Sequence, residues 1–321
     1  MDNRSLQEKY NRQAQMLANK VKKKFKHLHK RYAKQNLDAF RLYDWDIPEI
    51  RAVVDWYAGH LVIGEYSRKQ TDPDWLPVMG KAVATALGIP VNNLHLKIRH
   101  AGIKEGKRYD RINHTNQKIA VSERDLKFYI NPSDYVDTGL FSDHRNTRMM
   151  VRDLALDKNF LNLYCYTGAF TCSAAKGGAC RTVSVDRSET AINWVKENLE
   201  LNNLSDPKHI LIQEDTLDFL TTAKSKYQNF DLAVVDPPSY STTQFTNQHF
   251  DIAKDHPQLL NLVFDLMKPG AIIFFSTNHQ NFDLKTKALT VTNIKEITSK
   301  TIPEDYLNKR KQIHHCWEIV V

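Results

Sequence analysis

Apolar residues recur at spacings of four and three along the first segment of the chain: Leu6, Tyr10, Ala14, Leu17, Val21, Phe25, Leu28 and Tyr32. A 3.6-residue period puts all of them on one stripe, which predicts an amphipathic helix. Lys20, Lys22, Lys23, Lys24, Lys26 and Lys30 fall mostly off that stripe. No Pro or Gly interrupts residues 4–36, so one long helix or two shorter ones fit. The pattern then changes. Residues 40–43, 52–57 and 61–66 are short strand-like runs, punctuated by Asp46-Ile47-Pro48 and Gly59. Residues 74–88 have helical character and stop near Gly88 and Pro90. LHLKIRH (94–100) and LKFYI (126–130) follow as strands around a polar Gly/Lys loop at 102–118.

From about residue 150 strand and helix alternate. FLNLYCY (160–166), RTVSV (181–185), HILIQ (209–213), DLAVV (231–235) and AIIFFS (271–276) are strand runs. Helical stretches separate them, among them 188–202 and 253–267, and two last strands are expected near 291–298 and 313–321. Repeated β-α-β units imply an α/β fold with a mostly parallel sheet covered on both faces. The expected organisation is a helical segment at 1–36, an α+β domain at 37–132 and a parallel-sheet domain at 133–321.

A chain of 321 residues fits about two domains. It has no run of eighteen apolar residues, and MDNRSLQEKY is a polar start, so neither a membrane span nor a secretory leader is expected and the cytoplasm is the default. Cys165, Cys172, Cys180 and Cys316 form no CxxC pair, which suits reduced thiols better than disulfides or zinc. The net charge of +8 is unevenly placed. Residues 1–36 carry eleven Lys/Arg against Asp2 and Glu8, a net +9, and the remainder nets −1. A basic appendage on a nearly neutral body points to a polyanion, because Lys/Arg that neutralise phosphates release condensed counterions. The same charge also suits a merely solvated helix. Lys104, Lys107, Arg108 and Arg111 in the 102–118 loop are candidate RNA contacts on the same footing.

In open α/β sheets ligands bind beyond the carboxyl ends of the strands, and four such ends share a pattern here. The first ends in Tyr164-Cys165-Tyr166-Thr167-Gly168, where the glycine allows close backbone approach and the next helix N-terminus favours a carboxylate. The second ends in Asp186, suited to ribose hydroxyls. The third is followed by Asp215, suited to an adenine amino group. The fourth ends in Asp236-Pro237-Pro238-Ser239-Tyr240. Alone, Asp186 fits a turn cap, Asp215 a helix N-cap and Tyr240 a loop aromatic. Together they favour a nucleoside cofactor beside a planar substrate, with Tyr240 placed to stack on an extruded base. The spacing lacks GxGxxG, which disfavours nicotinamide dinucleotides.

The segments DTGLFSDHR (137–145), NLYCYTG (162–168), SVDRS (184–188), DPPSYS (236–241) and RKQIHHCW (310–317), with RLYDWDIPEIRAVVDWYAG (41–59), resemble the RlmI/RlmK family of bacterial 23S rRNA methyltransferases, above all the guanine-N7 half of the fused RlmKL enzymes. The resemblance spans roughly residues 37–321. It implies a Rossmann-like class I methyltransferase domain, with a mostly parallel sheet, behind a smaller EEHEE-type α+β domain. It also implies S-adenosyl-L-methionine as donor, S-adenosyl-L-homocysteine as product, and large-subunit rRNA or an assembly intermediate as partner. No counterpart of the RlmL half is expected within these residues, so RNA delivery is expected from the basic segment or from a separate RlmL-like protein. Carried over residue by residue, Asp143 and Arg145 resemble the segment that closes over the cofactor. Asn162, Tyr164, Tyr166, Thr167 and Gly168 match the first cofactor motif, Asp186 and Arg187 the ribose side, and Asp215 and Thr216 the adenine side. Asp236, Pro237, Pro238 and Tyr240 match the catalytic motif, with Tyr240 where the fused enzymes are expected to carry Phe. His314 and His315 fall in a family motif but also suit a core strand beside Trp317.

Guanine N7 has an in-plane lone pair, so neither a strong base nor a metal is expected. Cytosine-C5 methylation needs a thiolate, and neither Ser276-Thr277-Asn278-His279 nor the Asp-Pro-Pro segment supplies a cysteine. Exocyclic-amine methylation is associated with Asn in place of Asp236. A non-catalytic assembly factor and a DNA substrate are the remaining alternatives.

Overall fold

The computed structural model describes residues 3–67, 72–100, 111–242, 249–308 and 311–321. The chain divides into two compact units, with the boundary between Thr138 and Gly139. Lys104, Lys107 and Arg108 lie outside the described residues.

The first unit opens with α1 (Asn3–Ala33), a single helix of 31 residues. Its stripe is the expected one. Tyr10, Ala14, Leu17, Val21, Leu28 and Tyr32 are buried, and Leu6 and Phe25 are half-buried against the same core. Lys22, Lys23, Lys26 and Lys30 are exposed, Lys24 is half-buried, and Lys20 lies 3.4 Å from Asp46. The strands β1 (Ala39–Asp44), β2 (Ala52–Tyr57) and β3 (His60–Ser67) form an antiparallel meander. The helix α2 (Trp75–Leu87) then crosses over to β4 (Leu94–His100), which pairs parallel with β3. Gly88 ends α2 in the left-handed conformation, φ 69°, and its N–H donates to the carbonyls of Ala84 and Thr85. A separate hairpin, β5 (Ile119–Glu123) and β6 (Leu126–Ile130), completes the unit. Along the chain β2-β3-α2-β4-β5 has the expected strand-strand-helix-strand-strand order, flanked by β1 and β6. Helix α1 packs mainly on α2, which shields the apolar side of the sheet. Arg111 is tied down within its own unit. Its guanidinium bonds Asp134 at 3.0 Å, and the same carboxylate accepts from the backbone of Thr115 and Asn116.

The second unit starts with α3 (Arg145–Leu154), then β7 (Asn159–Leu163), α4 (Ala169–Lys176), β8 (Arg181–Asp186), α5 (Glu189–Leu201), β9 (His209–Gln213), α6 (Thr216–Ala223) and β10 (Phe230–Val235). A short hairpin, β11 (Tyr240–Thr242) and β12 (His249–Asp251), leads into α7 (Ile252–Phe264), β13 (Met267–Thr277), β14 (Asn293–Glu296), α8 (Thr298–Thr301) and β15 (His315–Val320). The sheet order is β14-β15-β13-β10-β7-β8-β9. Strands β7 to β10 and β13 run parallel, and β15 runs antiparallel to both neighbours. Alternation serves both faces. Leu161, Leu163, Val183, Val185, Ala233, Val235, Ile273 and Phe275 enter one core, and Phe160, Leu232, Val234 and Phe274 enter the other. No helix among the described residues is long and apolar enough to cross a membrane.

Candidate active site

Strand order reverses between β7 and β10: the chain steps from β7 to β8 and β9 on one side and from β10 to β13 on the other. A crevice at such a switch point is where an open α/β sheet takes a ligand. Tyr164, Tyr166 and Gly168 at the end of β7 all have positive φ, of 56°, 49° and 77°. Left-handed backbone at two tyrosines costs of order 1–3 kcal/mol each and persists only where the surroundings impose it. Three hydrogen bonds do so. The Tyr166 N–H donates to Asp186 Oδ2 (3.0 Å), Thr167 Oγ1 donates to the Gly139 carbonyl (2.6 Å), and Asn198 Nδ2 donates to the Thr167 carbonyl (2.8 Å). A Cβ on Gly168 would come within 2.5 Å of Val195 Cγ1, so the turn lies directly on α5.

Asp186 closes β8 and is buried. Its second oxygen accepts from the Ser188 N–H at 2.9 Å. Burial pushes its carboxyl up to about 6, against the lowering effect of these two backbone donors. Arg187 beside it is half-buried. Asp215 caps α6, accepting from the Leu217 N–H at 2.9 Å. The buried Thr216 hydrogen-bonds the Tyr164 phenol, and burial, with the Asp215 charge, raises that phenol well above the usual tyrosine range. Asn162 faces inward: its Nδ2 donates to Thr171 Oγ1 (2.9 Å), which bonds Ser184 Oγ (2.6 Å). Asn162 thus ties β7 to α4 and β8 from inside the domain.

The Asp236 segment is fastened three times to the end of β13 and the two residues that follow it. Ser276 Oγ donates to Asp236 Oδ1 (2.6 Å), Ser239 Oγ donates to Asn278 Oδ1 (2.6 Å), and the Tyr240 hydroxyl lies 3.4 Å from His279 Nε2. Pro237 is buried and Pro238 half-buried, while the Tyr240 side of the turn is 51% exposed. A partly exposed aromatic side chain, with its ring edge-on to His279, therefore follows a fixed carboxylate.

Behind Asp236 stands His144, a residue without a role in the sequence reading, together with Asp143 and His314. His144 Nε2 lies 3.7 Å from Asp236 Oδ2 and 3.6 Å from Asp143 Oδ2. Its ring stacks on that of His314, with centroids 4.3 Å apart and planes 12° apart. His314 Nδ1 donates to Asp143 Oδ2 (3.0 Å), and its Nε2 lies 3.0 Å from Thr301 Oγ1. Both His314 nitrogens are engaged, so the cluster is a hydrogen-bonded unit rather than a set of free metal ligands. His315 instead stacks on Trp317. Arg145 turns away from the crevice: its Nη2 pairs with the buried Asp305 at 2.5 Å and its Nε donates to the Ser142 carbonyl at 3.1 Å.

A model of the S-adenosylmethionine-dependent methyltransferase family matches residues 45–304. The chain belongs to that family. It is 36% identical over 94% of its length to "Ribosomal RNA large subunit methyltransferase K" of Neisseria meningitidis serogroup B, covering 86% of that protein. It is 38% identical to "Ribosomal RNA large subunit methyltransferase K/L" of Vibrio cholerae serotype O1, again over 94% of the chain, but spans only 43% of that longer relative. A putative SAM-dependent methyltransferase from Streptococcus mutans shares the fold, with a TM-score of 0.75 at 21% identity over 97% of this chain and 81% of that one.

The residues of this methyltransferase suit its cofactor. The left-handed turn at 164–168 brings backbone rather than side chains to the switch point, and acidic groups end β8, open α6 and end β10, where a nucleoside carrying hydroxyls, an amine and a sulfonium needs acceptors. The structure gathers Tyr164, Tyr166, Thr167, Gly168, Asp186, Asp215, Thr216 and Asp236 around those strand ends. It gives Asn162 and Arg145 internal partners, and it brings Asp143 to Asp236 through His144. Burial raises the thiols of Cys165, Cys172 and Cys316, Cys172 up to about 12, so these three are held as thiols. Cys180 precedes β8, at the sheet edge opposite the strand ends that form the crevice.

Proposed function

We propose that the protein transfers a methyl group to N7 of a guanine in 23S rRNA. The observation that carries this reading is the exposed Tyr240 ring near Asp236, the carboxylate fastened to the end of β13 and the phenol to His279 just after it, at the sheet's switch point. The names of the relatives support large-subunit rRNA as the substrate. The thiol states count against a C5 mechanism, which needs a thiolate. Bound S-adenosylmethionine supplies an electrophilic methyl group. Tyr164–Gly168, Asp186 with Arg187, and Asp215 with Thr216 would hold that cofactor. Tyr240 stacks on the flipped base and fixes its plane. Asp236 and the Pro237 carbonyl lie near the acceptor and stabilise the positive charge that develops on the ring. No residue has to remove a proton from N7, so positioning dominates the catalysis. Lys20, Lys22, Lys23, Lys24, Lys26 and Lys30 on α1 supply phosphate contacts, with Lys107 and Arg108 as further candidates. Cytoplasmic large-subunit rRNA or its precursor is the partner, and a separate RlmL-like protein is the candidate second one.

Replacement of Asp236 by Ala should lower methyl transfer to 23S rRNA by about a hundredfold or more with an unchanged thermal transition. Transfer of labelled methyl, with mass spectrometry of the released nucleosides, checks both rate and base. Wild-type turnover in that variant, or a product other than 7-methylguanosine, would overturn the reading.

A further inference from the structure

We propose that His144 is a positioning residue for Asp236: a neutral imidazole that steadies the carboxylate without capturing it, so that its protonation switches the site off. The proposal rests on the role given above to Asp236. Four observations carry it. His144 is over nine-tenths buried, between Asp143 and Arg145, and the family reading gave it no role of its own. Its orientation is fixed by the stack on His314 and by the edge of Phe170, 5.8 Å away at 63°. Its Nε2 faces both carboxylates, Asp143 at 3.6 Å and Asp236 at 3.7 Å. Its Nδ1 is buried with no hydrogen-bond partner.

These contacts distinguish the two protonation states. In the neutral ring the single N–H belongs on Nε2, toward the carboxylates, and the Nδ1 lone pair is the atom without a partner. Ser276 then fixes Asp236 Oδ1, while Oδ2 meets His144 only at long range. Oδ2 stays available to a substrate. Protonation adds an N–H at Nδ1, where no acceptor stands, and turns the Nε2 contact into an ion pair that draws Asp236 Oδ2 inward. The groups facing the ring oppose one another: Asp143 and Asp236 favour the charged form, and His314 and Arg148 disfavour it. Burial outweighs them and holds His144 below the ordinary histidine value of 6.5. Turnover should therefore fall as pH drops through a point below 6.5.

The test uses the full chain with 23S rRNA, at saturating S-adenosylmethionine so that pH effects on cofactor binding drop out. We expect His144→Gln to lower kcat about tenfold, to leave KM for the cofactor within about twofold, and to flatten the acid limb of kcat. In the second arm the imidazole resonance of His144 is titrated by NMR in wild type and in Asp236→Asn, which preserves the packing around His144 and so stands even if His144→Gln melts early. Loss of the Asp236 charge should move that titration further down. Wild-type kcat with an unchanged acid limb in His144→Gln overturns the proposal, as does a His144 titration that ignores Asp236→Asn. Full turnover in Asp236→Asn sinks the Asp236 assignment and the proposal with it; an inactive Asp236→Asn beside an unaffected His144→Gln sinks the proposal alone.

Discussion

The two units use polar residues in opposite ways. On α1 Lys22, Lys23, Lys26 and Lys30 stand in water, and Lys20 makes a half-exposed pair with Asp46 at 3.4 Å. At the strand ends of the second unit Asp143, Asp186 and His314 are buried and hydrogen-bonded to named neighbours, and His144 is buried in a stack on His314. Exposed charge acts at a distance and tolerates rearrangement, but salt screens it. Buried polar groups act only in the geometry that satisfies them, and an unsatisfied one costs about 1–3 kcal/mol. The first unit is therefore suited to gathering a polyanion and the second to discriminating one position within it. Perturbing charge number should affect one unit, and perturbing geometry the other.

The contrast between the units has its largest expected effect through charge. Changing Lys22, Lys23, Lys26 and Lys30 together to Gln should weaken rRNA binding roughly a hundredfold at low salt and reduce the slope of log K against log salt by about 3. The thermal transition should stay put, because these side chains are exposed and lie opposite the buried stripe. So should kcat at saturating RNA. Fluorescence titration across a salt series checks this. An unchanged slope would make α1 a solvated helix and end the contrast between the units.

The same contrast explains what the sequence revealed. The stripe from Tyr10 to Tyr32 was legible because a 3.6-residue period runs without Gly or Pro, and the strand ends were legible because each apolar run stops at a turn or an acid. Short elements were not. Strands β11 and β12 have three residues each, and α6 has eight, too few to show a period. Strand β5, IAVSE, alternates only partly and lies between the loop expected at 102–118 and the strand expected at 126–130. Partners distant in sequence were hidden as well. Arg145 looked like a site cation because it sits in a motif segment, but its partner Asp305 lies 160 residues away. His144, in the same segment, was passed over for the same reason: His314 and Asp236 reach it only through the fold. The double bonding of Asp186 to two turns is also a three-dimensional fact, although turn capping was one of its two expected roles.

Geometry in the second unit gives the next effect. A carboxyl whose folded pKa lies above its unfolded value holds its proton more tightly in the folded state. Asp186, at about 6 when folded against an ordinary 3.8, thus contributes stability that is complete below pH 3.8 and gone once pH passes about 6. Relative to Asp186→Asn, the wild type should lose about 2–3 kcal/mol of unfolding free energy between pH 4 and pH 7. Denaturant unfolding of both proteins across that range measures the difference. A constant gap would mean that the carboxylate is better solvated than its burial implies. Cofactor affinity should run the other way, since Asn offers fewer acceptors to a ribose.

The smallest effect separates the two roles of a single residue. Asp215 accepts from the Leu217 N–H as the N-cap of α6, and its charge reaches the Tyr164 phenol. Removing an N-cap costs about 1 kcal/mol, and Ser caps nearly as well as Asp. Asp215→Ala should therefore lower stability by about 1 kcal/mol and weaken S-adenosylmethionine binding about tenfold, whereas Asp215→Ser should recover the stability but not the affinity. The logic depends on the cap being local and the adenine contact being specific: a hydroxyl can replace the first interaction, but it is too short and uncharged to replace the second. Calorimetric titration and thermal melts of the two variants decide between them. If affinity follows stability in both, Asp215 serves the helix alone, and the acidic pattern that marks the cofactor crevice shrinks to Asp186 and Asp236.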